Sequence, residues 1–315
     1  GLAVVALVAT AVFALVRLAP GDPFAGVLDD PAISAEVRRA WRIAYGVEGP
    51  IGTQFTHWLA TLARGDLGWS VSRHAPVTRA IADALPFTLL LSGSAMVLAF
   101  ALGMPLGAWQ ARRRATSGDR VATVLTTITT ALPDFWFALV MLLALAFGVR
   151  LFPVGGASDA LLPPDAAPLR RAADLLWHLA LPLATLTALL VGPVARLQRT
   201  AVLEELDRDW VRTARAKGVT GTRVFRRHAW RTALGPMVTL GGLALPATLG
   251  AGVFVEHVFA WPGFGALAAG AIASRDYHLV TGCTMVGTML VVLGGWLADA
   301  LGAWLDPRLR PVRAP

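Results

Sequence analysis

The sequence predicts an all-α integral membrane protein with six transmembrane helices and both termini in the cytoplasm. Three observations predict it. First, the 315 residues are 56% hydrophobic and only 15% charged, where a soluble domain carries about 25% charge. Second, the apolar residues gather into six runs, each able to cross a hydrocarbon core about 30 Å thick at about 1.5 Å per residue. Third, the basic residues concentrate in alternate connections. The segments 110–120, 196–231 and 304–315 hold 17 Lys and Arg in 59 residues, while 20–85, 149–176 and 258–279 hold 10 in 116. Short inward connections carry the positive excess, so the first set is placed inside. The net charge of +8 then reads as membrane orientation rather than nucleic-acid binding.

Taken in order, the first span is 1–19. It is already apolar at Gly1, so residues ahead of it are expected. A signal peptide is the competing reading, but no A-x-A-like site follows and many spans come later. Residues 20–85 are punctuated by Pro20-Gly21-Asp22-Pro23, Gly49-Pro50 and Gly65-Asp66. They read as an external cap with short helices, not as a separate domain. The core, 86–315, then carries spans at about 86–109, 121–148, 177–195, 232–257 and 280–303. Small residues such as Gly93, Ser94, Gly103 and Gly107 suit close helix packing. The single cysteine, Cys283, cannot form an intrachain disulfide and reads as a small packing residue.

Charged groups at membrane depth are costly and are functional candidates. Asp134 follows Pro133 within the third span and is a candidate for the pathway, with pairing to a neighbouring helix as the alternative. Glu256, near the outer end of the fifth span, is a second pathway candidate. Arg17 and Asp299 lie near span ends, where long side chains can reach the interface.

The longest inward connection, 196–231, is the most polar part of the chain. Its pattern suggests two short helices. Asp207 or Asp209 can cap the first, beginning near Trp210. Arg215 and Lys217 suit its C-terminus, and Gly218 suits the left-handed residue that ends a helix. Thr220 or Thr222 can cap the next, which leads through Arg226, Arg227 and Arg231 into span five. Charge alone also permits a plainer reading, in which Arg212, Arg215 and Lys217 are membrane-surface anchors.

Several chemistries lack their motifs. No G-x-x-x-x-G-K-[ST] loop occurs, so no ATP site is expected in this chain. No H-E-x-x-H or other metal-ligand spacing occurs, and Ser92 and Ser94 do not form G-x-S-x-G. No catalytic residues, metal site or cofactor are therefore expected. A stand-alone secondary transporter would need inverted repeats and a coupling-ion site, and neither is visible.

The segment Asp209-Trp210-Val211-Arg212-Thr213-Ala214-Arg215-Ala216-Lys217-Gly218, followed by Arg227-His228-Ala229 and Ala233-Leu234-Gly235-Pro236, resembles the cytoplasmic loop of binding-protein-dependent ABC importer permeases. Within them it is similar to the dipeptide/oligopeptide/nickel family, and to the first permease of the pair. Arg212-Thr213-Ala214 stands where the general pattern has Glu-Ala-Ala, as is usual in the peptide branch. Gly235 and Asp134 depart from the larger apolar residue and the small hydroxyl residue common at those places. Leu18 to Pro23, Gly65 to Ser70, Leu151 to Gly156, Val255 to Gly265, Arg275-Asp276-Tyr277 and Asp306 to Arg310 match further landmarks in order, so the resemblance spans nearly the whole chain.

The resemblance implies the ABC importer permease fold in a bacterial inner membrane. It implies a second homologous permease, two cytoplasmic ATPase subunits that bind ATP and Mg, and an external substrate-binding protein. It implies coupling to the ATPase through Trp210, Val211, Arg212, Thr213, Ala214, Arg215, Ala216, Lys217 and Gly218. Peptides are the implied cargo, with nickel or another chelated metal as the alternative.

Overall fold

The computed structural model describes residues 1–18, 50–225, 229–238, 240–241, 250 and 252–305. Expectations for residues 20–49, for Arg226 and Arg227, for most of the fifth span and for the tail from Asp306 lie outside the described residues. Helix dominates the rest. In chain order the elements are α1 (Leu2–Leu18), α2 (Ile51–Ala63), β1 (Trp69–Ser70), β2 (Ala75–Pro76), α3 (Val77–Arg112), α4 (Ser117–Ala131) and α5 (Asp134–Met141). A π-helical turn (Leu142–Gly148) continues α5. Then follow α6 (Pro168–Leu206), α7 (Asp209–Ala216), α8 (Gly221–Val224), α9 (Trp230–Thr232), α10 (Val253–Val258), α11 (Phe264–Ala273) and α12 (Tyr277–Leu305). Three of these, α3, α6 and α12, are long and apolar enough to cross a membrane, and α4 with α5 and its π-turn makes a fourth if counted as one bent span.

The spans are longer and less straight than periodicity suggests. Helix α3 starts at Val77 rather than near residue 86 and runs through Pro86 and Pro105. Helix α6 has 39 residues and contains Pro182 and Pro193. It therefore extends about 58 Å, well past the expected end at 195. The span expected as one piece over 121–148 is broken, with α4 and the α5 segment meeting at 108°. The cause is local. Pro133 lacks the N–H that would continue the helix and forces the residue before it out of the helical region. Leu132 accordingly has ψ 140° and Pro133 ψ 134°.

Two compact units divide the chain. One comprises residues 1–87 with 263–293, and the other 88–262 with 294–315. In the first, Val77, Ile81, Ala84, Phe264, Leu267, Ala271, Leu279 and Cys283 form a buried cluster. Cys283 is thus the packing residue expected. Phe13 stacks edge-on against Phe55 with centroids 5.1 Å apart, which ties α1 to α2. The β1–β2 hairpin pairs Trp69 with Pro76 and Ser70 with Ala75. It is held to the start of α12 by Asp276, whose Oδ2 accepts from Ser70 Oγ (2.7 Å), Ser72 N (3.0 Å) and Ser72 Oγ (2.8 Å). Its Oδ1 accepts from Leu279 N at 3.1 Å, which caps α12. Burial opposes the charge of Asp276, but these bonds outweigh it and hold the pKa below the ordinary carboxylate value.

In the second unit, α6 packs against α3, α4 and α5. The close approaches are made at glycines. A Cβ at Gly107 would collide with the Ala195 carbonyl, and one at Gly192 would lie 2.7 Å from Thr126 O. Gly103 likewise faces Val194, as expected. Gly93 does not, since nothing lies within 4 Å of its Cβ position, and Ser94 donates back to Leu90 O on its own helix. Among the described residues, no neighbour approaches Gly93 closely enough to need the missing side chain.

Candidate functional site

The polar segment after α6 folds as a short stub bounded on both sides. Asp207 closes α6 (φ −86°, ψ −5°), and Arg208 is extended at the N-terminal boundary of α7. Neither Asp207 nor Asp209 caps α7, contrary to expectation. Asp209 is already the first helical residue, and no side chain caps that end. Its carboxylate instead lies 3.6 Å from Arg212, with both side chains exposed, a pairing of little energetic weight that still places an acid at the positive helix end. Arg208 turns back to the buried Glu205 at 3.1 Å.

The C-terminal boundary is as the sequence predicts. Gly218 has φ +78°. Its N–H donates to Arg215 O (2.9 Å), and Val219 N–H donates to Ala214 O (3.1 Å). This pair of bonds is the Schellman stop, and it needs a residue without Cβ strain at the left-handed position. Thr220 sits at the N-cap position of α8 but makes no side-chain cap bond.

Within α7 only Val211 is fully buried. Trp210 and Ala214 are half-buried, whereas Arg212, Thr213, Arg215, Ala216, Lys217 and Gly218 are exposed. The apolar side anchors the stub and the cationic side is presented outward. Ala108, Ala111, Ala201, Val202 and Ala233 form a small core flanked by Leu203, Leu206, Phe225 and Trp230, which joins the ends of α3 and α6 to the segment that follows α8.

One anchoring residue escaped the sequence reading. Asp119, in the first turn of α4, is gripped by Arg199 of α6, with Nε 3.2 Å from Oδ1 and Nη2 3.0 Å from Oδ2. Thr116 Oγ1 accepts from Asp119 N at 3.3 Å, so the Thr116-Ser117-Gly118-Asp119 capping pattern was the available signal.

The two pathway candidates lie on adjoining elements. Asp134 opens α5 just past the break and is partly exposed. Glu256 on α10 is fully buried and accepts from Thr88 Oγ1 at 2.5 Å. Phe135, next to Asp134, and Phe254, two residues before Glu256, have ring centroids 6.2 Å apart. Among the described residues, no three His, Cys, Asp or Glu side chains form a metal-binding group.

Residues 103–311, from within α3 through the stub and beyond α12, match the sequence model of the binding-protein-dependent transport system inner membrane component. The chain belongs to that family. Curated relatives place it in the peptide branch of the ABC importer permeases. It is 35% identical over 94% of its length to the oligopeptide transport system permease protein AppB of Bacillus subtilis, covering 92% of that protein. It is 31% identical to the dipeptide transport system permease protein DppB of Escherichia coli K12, covering 95% of this chain and 92% of that one. A chain of the inward-facing MetNI methionine ABC transporter shares the fold, with a TM-score of 0.56 at 17% identity over 72% of this chain and 96% of that one. This permease is a multi-pass protein of the bacterial inner membrane.

Proposed function

We propose that this permease forms half of a peptide translocation pathway and is driven by a cytoplasmic ATPase that grips α7. The observation that carries the reading is the build of that helix. It is eight residues long, anchored by the buried Val211, stopped by Gly218, and exposes Arg212, Thr213, Arg215 and Lys217. A short rigid helix passes a push on to its base, whereas a floppy loop absorbs it. Helix α7 follows α6 directly, and Phe225 just past α8 packs with the ends of α3 and α6, so movement of α7 tilts long apolar helices. Alternation between inward- and outward-facing arrangements is a rigid-body transition of this kind.

The rest of the machine follows from the family. Six spans with both termini inside put α7 in the cytoplasm. A second homologous permease completes the pathway, two ATPase subunits bind ATP and Mg, and an external binding protein delivers cargo. Peptides are preferred to chelated nickel because the relatives aligned over almost the whole chain are named for peptides. Asp134 and Glu256 line the pathway in this reading.

The test is a crosslink and a transport assay on one preparation. Arg215→Cys in the assembled importer should crosslink to the ATPase, and vesicles containing the complex should take up labelled dipeptide only with ATP. An ATPase that never crosslinks to this helix in a working complex would overturn the coupling role. Uptake of chelated nickel but not peptide would overturn the cargo.

A further inference from the structure

Where α3 ends, Pro105, Trp109, Arg112, Arg113, Phe225 and Trp230 surround a cavity of about 590 Å³. Its two cations are stacked on its aromatic walls. The Arg112 guanidinium lies 4.9 Å from the Phe225 ring centroid, and that of Arg113 lies 5.4 Å from the Trp109 ring. Among the described residues neither meets a carboxylate. Stacking holds a guanidinium in place while leaving its N–H edge free to donate, and that edge matches phosphate oxygens.

The cavity continues into an apolar track. Leu98 (38% exposed), Leu102 (56%), Pro105 and Trp109 (37%) recur along α3 at helical spacing and face outward, ending at Arg112. A span whose exposed apolar stripe runs into a Trp-rich, cationic end has the profile of a bilayer interface. Basic pockets at such ends attract anionic headgroups.

We propose that this cavity seats the phosphate of an anionic phospholipid of the adjoining leaflet, with an acyl chain lying along Leu98, Leu102 and Pro105. The phosphodiester meets Arg112 and Arg113, and the indoles of Trp109 and Trp230 flank the glycerol region. Because Phe225 follows α8 directly, a seated lipid also braces the base of the α7 stub. The site stands on the cavity, the paired cations and the apolar track, and does not depend on the coupling role of α7.

The test uses the full chain, alone and assembled with its importer partners, in nanodiscs carrying photoactivatable phosphatidylglycerol or phosphatidylcholine. Labelling of the peptide spanning residues 98–113 should favour phosphatidylglycerol by about tenfold, and the paired change Arg112→Gln/Arg113→Gln should remove at least about fivefold of that preference. Arg114→Gln, outside the cavity, should leave it unchanged. A paired variant that fails to assemble is replaced by Arg113→Gln alone, and the lipid comparison in the unaltered chain decides independently. Equal labelling by both lipids would overturn the proposal. So would an equal loss with Arg114→Gln, which indicates diffuse surface charge, or displacement of the lipid by inorganic phosphate, which indicates a bare anion site. Labelling of the isolated chain but not of the assembled importer would assign the surface to a protein interface and also overturn it.

Discussion

Arg199 of α6 binds both carboxylate oxygens of Asp119 at the start of α4, at 3.2 and 3.0 Å. Asp119 is almost fully buried and Arg199 about one-third exposed. The pair staples two helices ten residues ahead of the α7 stub. Removing one partner leaves a buried charge unmatched, which typically costs 3–5 kcal/mol, and the exposure of Arg199 argues for the lower end. Asp119→Asn and Arg199→Gln should each destabilise the purified permease by about 3 kcal/mol, read as a lower melting temperature. The double change should cost less than the two together. Additive losses in that cycle would show that the two side chains do not act as a pair.

Gly192 allows α6 to approach α4 so closely that a Cβ would sit 2.7 Å from Thr126 O and 2.9 Å from Thr130 Cγ2. The nearest obstacle is backbone and cannot swing aside. Gly192→Val should destabilise the permease by about 1–3 kcal/mol, read as loss of folded protein after detergent extraction. Gly93→Ala on α3, with no described atom within 4 Å of its Cβ position, should cost no stability. If both were silent, the close α4–α6 contact would not be what holds these helices.

Much of this was legible in the sequence, and what was not has separate physical reasons. Gly218 was legible because a left-handed helix stop is a local demand that one residue type meets. The spans were legible because hydrophobicity sums over about twenty residues. Their ends were not, since helices α3 and α6 continue into polar sequence where hydropathy stops reporting helix. The kink at Pro133 is not marked in the sequence, because a proline within an apolar run also occurs in unbroken spans, as Pro182 and Pro193 of α6 show. The roles of Arg199 and Asp276 were invisible because each pairs with residues distant in sequence, Asp119 and Ser70, and nothing local marks such a pair.

Asp276 makes the acid response of the first unit predictable. Its burial opposes ionisation, and the bonds from Ser70, Ser72 and Leu279 more than offset this, leaving its pKa below the ordinary 3.8. A carboxylate with a depressed folded pKa stabilises fully above its unfolded value, and this contribution is lost as pH falls through the folded one. Asp276→Asn should therefore lower the melting temperature at pH 7, where loss of charge-assisted bonds costs about 1.5–3 kcal/mol. The gap from the unaltered protein should narrow once the pH drops below 3.8. Melting curves from pH 7 to 3 check this, and parallel curves throughout would remove Asp276 from the account.

Gly218 separates conformation from space. Among the described residues nothing lies within 4 Å of its Cβ position, yet its φ is +78°. A larger side chain therefore fits but strains the backbone, by about 1–2 kcal/mol for an ordinary L-residue and more for a β-branched one. Gly218→Val should relax the Schellman stop and lower ATP-driven uptake several-fold while the complex still assembles. Gly218→Asn, which tolerates the left-handed region, should retain most activity. Uptake and co-purification measured together decide it, and full activity with valine would mean that the end of α7 need not be rigid.

Asp134 offers the sharpest test of what passes through the spans. It opens α5 at the 108° break and is only partly covered. A fixed anion there lowers the energy of a cationic group nearby and does little for a neutral one. The interaction at about 4 Å is worth roughly 1 kcal/mol in water and up to roughly 4 kcal/mol near protein. Asp134→Asn should accordingly reduce uptake of lysine-containing dipeptides at least about fivefold relative to neutral ones, at equal expression. An equal fall for both substrate classes would instead assign Asp134 to the stability of the break, and unchanged uptake of both would take it out of the pathway altogether.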